Sequence, residues 1–342
     1  MKKILVWMIS LTVNGLFGQT YHLLTEEKNN ESFRGLSFED AKTFIFSGTN
    51  NTIGKSSDSG KTIQWISPDL TSKVDFRDVE VVAKNHYFAM GIDSPAYILE
   101  TKDAGKIWQT VYENQTKGIF LDAMFYYPKT KDLFVVGDPL GENIPFVLQA
   151  NLKNTKEWIQ QKKIKNQYLR LSDPKEAFFA ASGSNLYVDD QQVLLISGGV
   201  KSLLYRYTAK ETQGYSLDKS KSSTSGMYAM DYNSTLNVGY LVGGDYTKPD
   251  ASNFNLYKFK IQENKVQFID TYASPKGYLS SVSIIDKDRV VVCGTNGVQM
   301  TNDNGLTWKF ITNDGYNSCK VSPDKKYIIL VGGKGKLGKI EL

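Results

Sequence analysis

The sequence predicts an all-β protein, a seven-bladed β-propeller whose ring is closed by its N-terminal strand. Three observations predict it. A strand-like run ending in glycine recurs seven times, a second strand-like segment precedes each run by a short gap, and no helical periodicity interrupts the series.

The glycine-ended runs are residues 44–48, 87–91, 133–137, 193–198, 240–243, 290–294 and 328–332. Their glycines, Gly48, Gly91, Gly137, Gly198, Gly243, Gly294 and Gly332, are separated by 43, 46, 61, 45, 51 and 38 residues. Repeats of that length suit four-stranded propeller blades, with glycine where strands crowd. Ahead of each run stands a candidate innermost strand: 33–36, 76–79, 120–124, 176–179, 226–230, 278–282 and 316–319. The last repeat has only three strands, and Tyr21-His22-Leu23-Leu24 is expected to supply the fourth and seal the sheet edge. Insertions around residues 160–175 and 209–224 leave six or eight blades open.

The chain begins Met1-Lys2-Lys3, runs through the apolar stretch 4–9 and reaches Leu16-Phe17-Gly18-Gln19. A basic start, a short apolar core and a small residue before a cleavage point predict a secretory leader over residues 1–18. The remaining 19–342 reads as one propeller domain, placed in the periplasm or outside the cell, with no membrane insertion and no partner copy expected. The net charge is +5, and removing Lys2 and Lys3 leaves +3. Lysines and arginines are scattered rather than striped, which argues against a nucleic-acid partner. Cys293 and Cys319 are the only cysteines. Pairing in an oxidising compartment and two separate buried thiols are equally compatible with the sequence.

Three repeats carry a Ser/Thr-x-Asp-x-Gly turn: Ser56 to Gly60, Thr101 to Trp108 and Thr301 to Trp308. In such an Asp box the carboxylate of Asp58, Asp103 or Asp303 accepts backbone N–H bonds of its own turn. Gly60, Gly105 and Gly305 take the positive-φ position, and Trp108 and Trp308 pack back between sheets. The role is structural and belongs on the outer part of the blades.

Beyond these turns, the chain carries Phe33-Arg34-Gly35-Leu36-Ser37, Asp75-Phe76-Arg77-Asp78, Phe120-Leu121-Asp122-Ala123-Met124, Gly137-Asp138-Pro139, Glu176 to Gly183 and Gly243-Gly244-Asp245-Tyr246. On these motifs it resembles the Asp-box (BNR) repeat proteins and, more closely, the photosystem II stability/assembly factor-like propellers. The resemblance runs through nearly all of the chain after the leader. It implies a seven-bladed propeller and, from the founding members, a role in assembly through protein partners.

In a propeller, the loops entering the innermost strands and those after the second strands meet around the channel mouth. Arg34, Arg77, Asp78, Asp122 and Glu176 are expected there from the first loop type, and Asp93, Asp138, Asp245, Tyr246 and Asp250 from the second. The expected function is a binding or assembly scaffold for a protein or glycan partner, with Arg34, Arg77, Asp93, Glu176, Asp245 and Tyr246 as ligand-binding candidates. The alternative is a sialidase-like glycan hydrolase or lyase using Asp78, Asp122 or Asp138. Against it, Phe33-Arg34-Gly35-Leu36 lacks the proline of the sialidase arginine motif. No cofactor-binding element is visible: the glycine-rich strings at 54–62 and 333–338 lack the βαβ context of a phosphate or dinucleotide loop. The two histidines, His22 and His86, make no metal-ligand cluster.

Overall fold

The structure is a computed structural model that describes residues 18–153, 157–217 and 222–342. The leader expected over 1–18 lies, apart from Gly18, outside the described residues. Among them there is no helix long and apolar enough to cross a membrane.

Seven four-stranded antiparallel units follow one another. Blade 1 comprises Phe33–Phe38, Phe44–Gly48, Ile53–Ser56 and Gln64–Trp65; blade 2 comprises Phe76–Ala83, His86–Gly91, Ala96–Thr101 and Gln109–Asn114. Blade 3 holds Leu121–Tyr127, Asp132–Gly137, Phe146–Asn151 and Ile159–Gln161, and blade 4 holds Leu186–Val188, Gln192–Ile196, Leu203–Thr208 and Thr212–Ser216. Blade 5 is Ser225–Asn233, Val238–Asp245, Leu256–Gln262 and Lys265–Ile269; blade 6 is Leu279–Ile284, Val290–Gly294, Gly297–Thr301 and Lys309–Thr312. Blade 7 takes Ser318–Val321, Tyr327–Val331 and Leu337–Glu341 from the C-terminal repeat and Thr20–Thr25 as its outermost strand. Tyr21 stands opposite Ile340 in that closing pair, and its hydroxyl lies 2.7 Å from that of Tyr316.

The second strands show how the ring is held. Their side chains alternate between faces, and both faces are apolar because each blade is covered on both sides. Phe44 and Phe46 pack against Tyr327, Ile329 and Val331 of blade 7, while Ile45 between them packs against Phe76, Tyr87 and Leu99 of blade 2. Leu133 and Val135 face Met90 and Ile98, and Phe134 and Val136 face Val193 and Leu195. Blades 4 and 5, 5 and 6, and 6 and 7 join through three more clusters of the same kind. Seven seams join seven blades, so the ring closes and the alternatives of six or eight are excluded. The glycines that end the second strands of blades 3 and 6 have a local cause: a Cβ on Gly137 would lie 2.3 Å from the Phe120 carbonyl oxygen, and one on Gly294 1.9 Å from that of Tyr278.

One expectation is corrected. Residues 176–179 are not the innermost strand of blade 4; Leu186–Val188 is. Glu176–Ala177 pairs instead with Gly198–Gly199, and the chain then crosses toward the channel as a loop before entering the blade. Gly183, at φ +65°, breaks the extended run, and the Ser182 and Ser184 hydroxyls bond each other at 2.7 Å.

Candidate functional site

The channel mouth is built by one device repeated around the ring. The innermost strands of blades 1, 2, 3, 5 and 6 each slip register at the same place, between Phe33 and Gly35, Phe76 and Asp78, Leu121 and Ala123, Met227 and Ala229, and Leu279 and Ser281. The residue skipped in each case is Arg34, Arg77, Asp122, Tyr228 or Ser280. A β-bulge frees one residue from the ladder and re-aims its side chain.

Arg34, Arg77 and Tyr228 share a hollow of about 460 Å³, completed by Phe120, Phe178–Ala181, Tyr246, Tyr278, Thr295 and Asn317. Its walls are aromatic. Phe179 stacks on Tyr228 with centroids 4.0 Å apart, Tyr278 meets Tyr228 edge-on at 4.9 Å, and the half-exposed Tyr246 meets it edge-on at 6.4 Å. The Arg77 guanidinium lies 5.9 Å from the centre of the Phe120 ring.

The two arginines differ in how their charge is met. Arg77 Nε donates to Asp75 Oδ2 at 2.8 Å. Arg34 Nη1 reaches only the Ala181 carbonyl oxygen, at 3.4 Å, and no carboxylate within ion-pair distance among the described residues. Burial, then the neighbouring Arg77 charge, pushes the Arg34 pKa down. Both influences oppose the cation, so an anion brought into the hollow relieves them.

None of the carboxylates Asp78, Asp122 and Asp138 lines this hollow; Asp78 lines a separate cavity with Glu80, Asp231 and Lys320. Asp78 is buried under the loop, where a Cβ on Gly183 would meet its carboxyl at 2.3 Å; it accepts from the Val79 and Met124 amides at 2.8 and 2.6 Å. Asp138 accepts from the Phe178 amide at 2.8 Å, which ties down the loop forming one wall. Burial raises its pKa to about 6. Asp122 is fully buried, with neither carboxylate oxygen in a hydrogen bond of ordinary geometry. Burial and then the Asp138 charge push its pKa well up, partly opposed by Arg77.

The other candidates are dispersed. Glu176 is buried and accepts from the hydroxyls of Ser172, Ser197 and Tyr205 at 2.5, 2.6 and 2.9 Å. Asp245 is held by Thr224 and Thr247 and borders a separate depression with Lys248. Asp93 is exposed and bridges only to Phe120 in the backbone. Of the binding candidates, Arg34, Arg77 and Tyr246 meet in one hollow. The aromatic wall of Phe120, Phe179, Tyr228 and Tyr278 was not singled out in the sequence. Its signal was present: Tyr228 occupies the same repeat column as Arg34 and Arg77, immediately after an apolar residue, here Met227, there Phe33 and Phe76.

No family model matches the sequence, and no curated protein matches it. Among solved structures, "YCF48 bound to D1 peptide" superposes with a TM-score of 0.65 at 13% identity, covering 95% of each chain. YCF48 from Cyanidioschyzon merolae gives 0.64 at 14% identity over 94% of this chain and 98% of its own. A streptogramin B lyase structure gives 0.66 at 12% identity over 95% and 98%. The fold is a seven-bladed β-propeller, the architecture these structures share. At such identities the likeness is one of architecture, and two neighbours of such different name place no activity on this chain.

Proposed function

We propose that this chain is an exported, monomeric binding or assembly scaffold that takes a protein partner at the channel mouth, by a carboxylate set beside apolar or aromatic groups. The observation that carries the reading is Arg34: a guanidinium without a carboxylate partner, beside a second arginine, in a hollow walled by Phe179, Tyr228, Tyr246 and Tyr278. Arginines match a carboxylate in geometry and charge, and tyrosines supply rigid apolar contact at low entropic cost. The solved propeller bound to a D1 peptide supports a peptide as the partner class. Export rests on the leader pattern of residues 1–18. The hydrolase alternative is weaker because Asp78 and Asp138 accept backbone amides and Asp122 is fully buried, so none of the three lines the hollow.

The test is a fluorescence-anisotropy titration against a library of labelled peptides, each with a free or amidated C-terminus, run beside a glycan array. Selected peptides are expected to carry a carboxylate. Arg34→Ala is expected to weaken them about 10- to 100-fold, the range for a charge-assisted bond of ~1.5–3 kcal/mol. Peptide binding indifferent to both Arg34→Ala and Arg77→Ala, or a response confined to glycans, would discard the reading.

A further inference from the structure

The seam between blades 6 and 7 holds an arrangement that the channel mouth does not use. Ser281 and Cys293 are directly opposed on neighbouring strands of blade 6, so their side chains share one face. That face looks onto blade 7. Ser281 Oγ accepts the Cys319 amide at 3.2 Å and lies 3.6 Å from Cys319 Sγ. Cys319 Sγ is also 3.9 Å from the carbonyl oxygen of Val291, two residues before Cys293 on the same strand. The Cys319 sulfur is therefore fixed from two sides at the place where the Cys293 side chain points. Both cysteines are free and buried, at 0% and 4% exposure, in a cluster otherwise made of Ile285, Val291, Ile328, Leu330 and similar groups.

We propose that Cys293 and Cys319 form a disulfide that staples blade 6 to blade 7 beside the closing strand. The two S–H bonds break and one S–S bond forms. Two electrons and two protons pass to the disulfide of a thiol–disulfide exchange partner, which leaves as a dithiol. Exchange needs a thiolate, and in the finished seam burial raises the Cys293 pKa well above that of a free thiol. The bond is therefore made while the last blade docks and is then sealed, so its redox state records the compartment in which the chain folded. The bridge closes a loop of about 26 residues, which narrows the unfolded ensemble and stabilises the ring at its joining point.

The experiment is to unfold and reduce the purified chain, refold it in a mixture of reduced and oxidised glutathione or in excess reductant, and alkylate it under denaturing conditions. The expected result is a monomer lacking both alkyl groups, with a peptide pair joining Cys293 to Cys319. Added reductant leaves the folded product intact for hours, and its thermal midpoint lies a few degrees above that of the form refolded in reductant. In Cys319→Ala the two refolding conditions give the same midpoint, which separates the bridge from any general effect of glutathione. Two alkylated cysteines in a chain with native circular dichroism after oxidative refolding would overturn the proposal. So would a bond formed only between chains, or an oxidised chain that refolds less well than the reduced one.

Discussion

Asp138 places a charge question beneath the wall of the mouth. Its carboxyl takes the Phe178 amide but is otherwise enclosed, and burial raises its pKa from the ordinary carboxylate value of 3.8 to about 6. The folded state thus favours the protonated form. Below pH 3.8 the group is protonated whether the chain is folded or not, and its contribution to stability is fully present. As pH climbs toward 6 the unfolded chain ionises first, and the contribution is lost, up to about 3 kcal/mol for a shift of this size. Asp138→Asn keeps an acceptor for Phe178 and removes the charge. It is expected to be more stable than the parent chain at pH 7 and to flatten the rise in stability on going from pH 6 to pH 4, as read by urea unfolding across that range. An unchanged pH slope would show that Asp138 ionises as freely in the fold as out of it. The sequence marked Asp138 as a carboxylate near the mouth; in the structure it ties down the loop that forms one wall of the hollow. The sequence held no sign that the carboxyl faces inward, because that depends on the loop at 178–181, contributed by a segment forty residues away.

At the scale of the element, the three Ser/Thr-x-Asp-x-Gly turns close alike. The leading hydroxyl accepts the glycine amide at 2.8, 2.9 and 2.9 Å, and the aspartate accepts the amide four residues on at 2.9, 3.0 and 2.9 Å. The glycines sit at φ +91°, +88° and +90°. These turns are legible because donor, acceptor and flexible residue all lie within a few consecutive positions. Their weight falls on the buried hydroxyl rather than on the half-exposed carboxylate. Thr101 is 2% exposed, so Thr101→Val strands the Gly105 amide and is expected to lower stability by about 1–3 kcal/mol, measured by chemical denaturation. Thr307→Val keeps the amide bond to Asp303 and loses only the hydroxyl bond at the exposed end of the turn, so it is expected to lower stability by less. Equal effects from the two would mean the buried bond carries no special weight. The inner strand of blade 4 was illegible for the opposite reason. Glu176-Ala177-Phe178-Phe179 fills the right column of the repeat, yet Glu176 is drawn aside by Ser172, Ser197 and Tyr205, contacts that repeat alignment does not see.

For the whole molecule, seven glycine-ended runs made the ring legible, since each marks one blade's second strand, while the insertions in the longer repeats left the blade count open until the seams were seen. The closing strand followed from counting strands. The bulges did not, because a one-residue slip leaves the hydrophobic alternation on either side intact, and with them went the composition of the mouth. The ring makes a further prediction about how the chain closes. Blade 7 is completed by an outermost strand, Thr20–Thr25, that arrives from the other end of the sequence, with Thr20 opposite Glu341. The termini of the described chain therefore meet, and the same closure can be moved to another blade. Blade 4 offers it: the exposed turn between Thr208 and Thr212 precedes its outermost strand, Thr212–Ser216. A permutant opened between Lys210 and Glu211, with Leu342 joined to Gln19 by a short glycine-serine linker, begins with an outermost strand just as the parent does. Every seam and every ladder is retained, and a flexible linker of this length adds little closure entropy. The permutant is expected to fold as a monomer, with the parent's circular dichroism and a thermal midpoint within a few degrees. A second permutant, opened between Thr130 and Lys131, splits the first and second strands of blade 3, so that its innermost strand must return from the far end of the chain to a site buried between two blades. It is expected to fold more slowly and less stably, because that strand cannot dock until its neighbours have parted. If the first permutant aggregates while the second folds, closure by an outer strand is not what holds the ring.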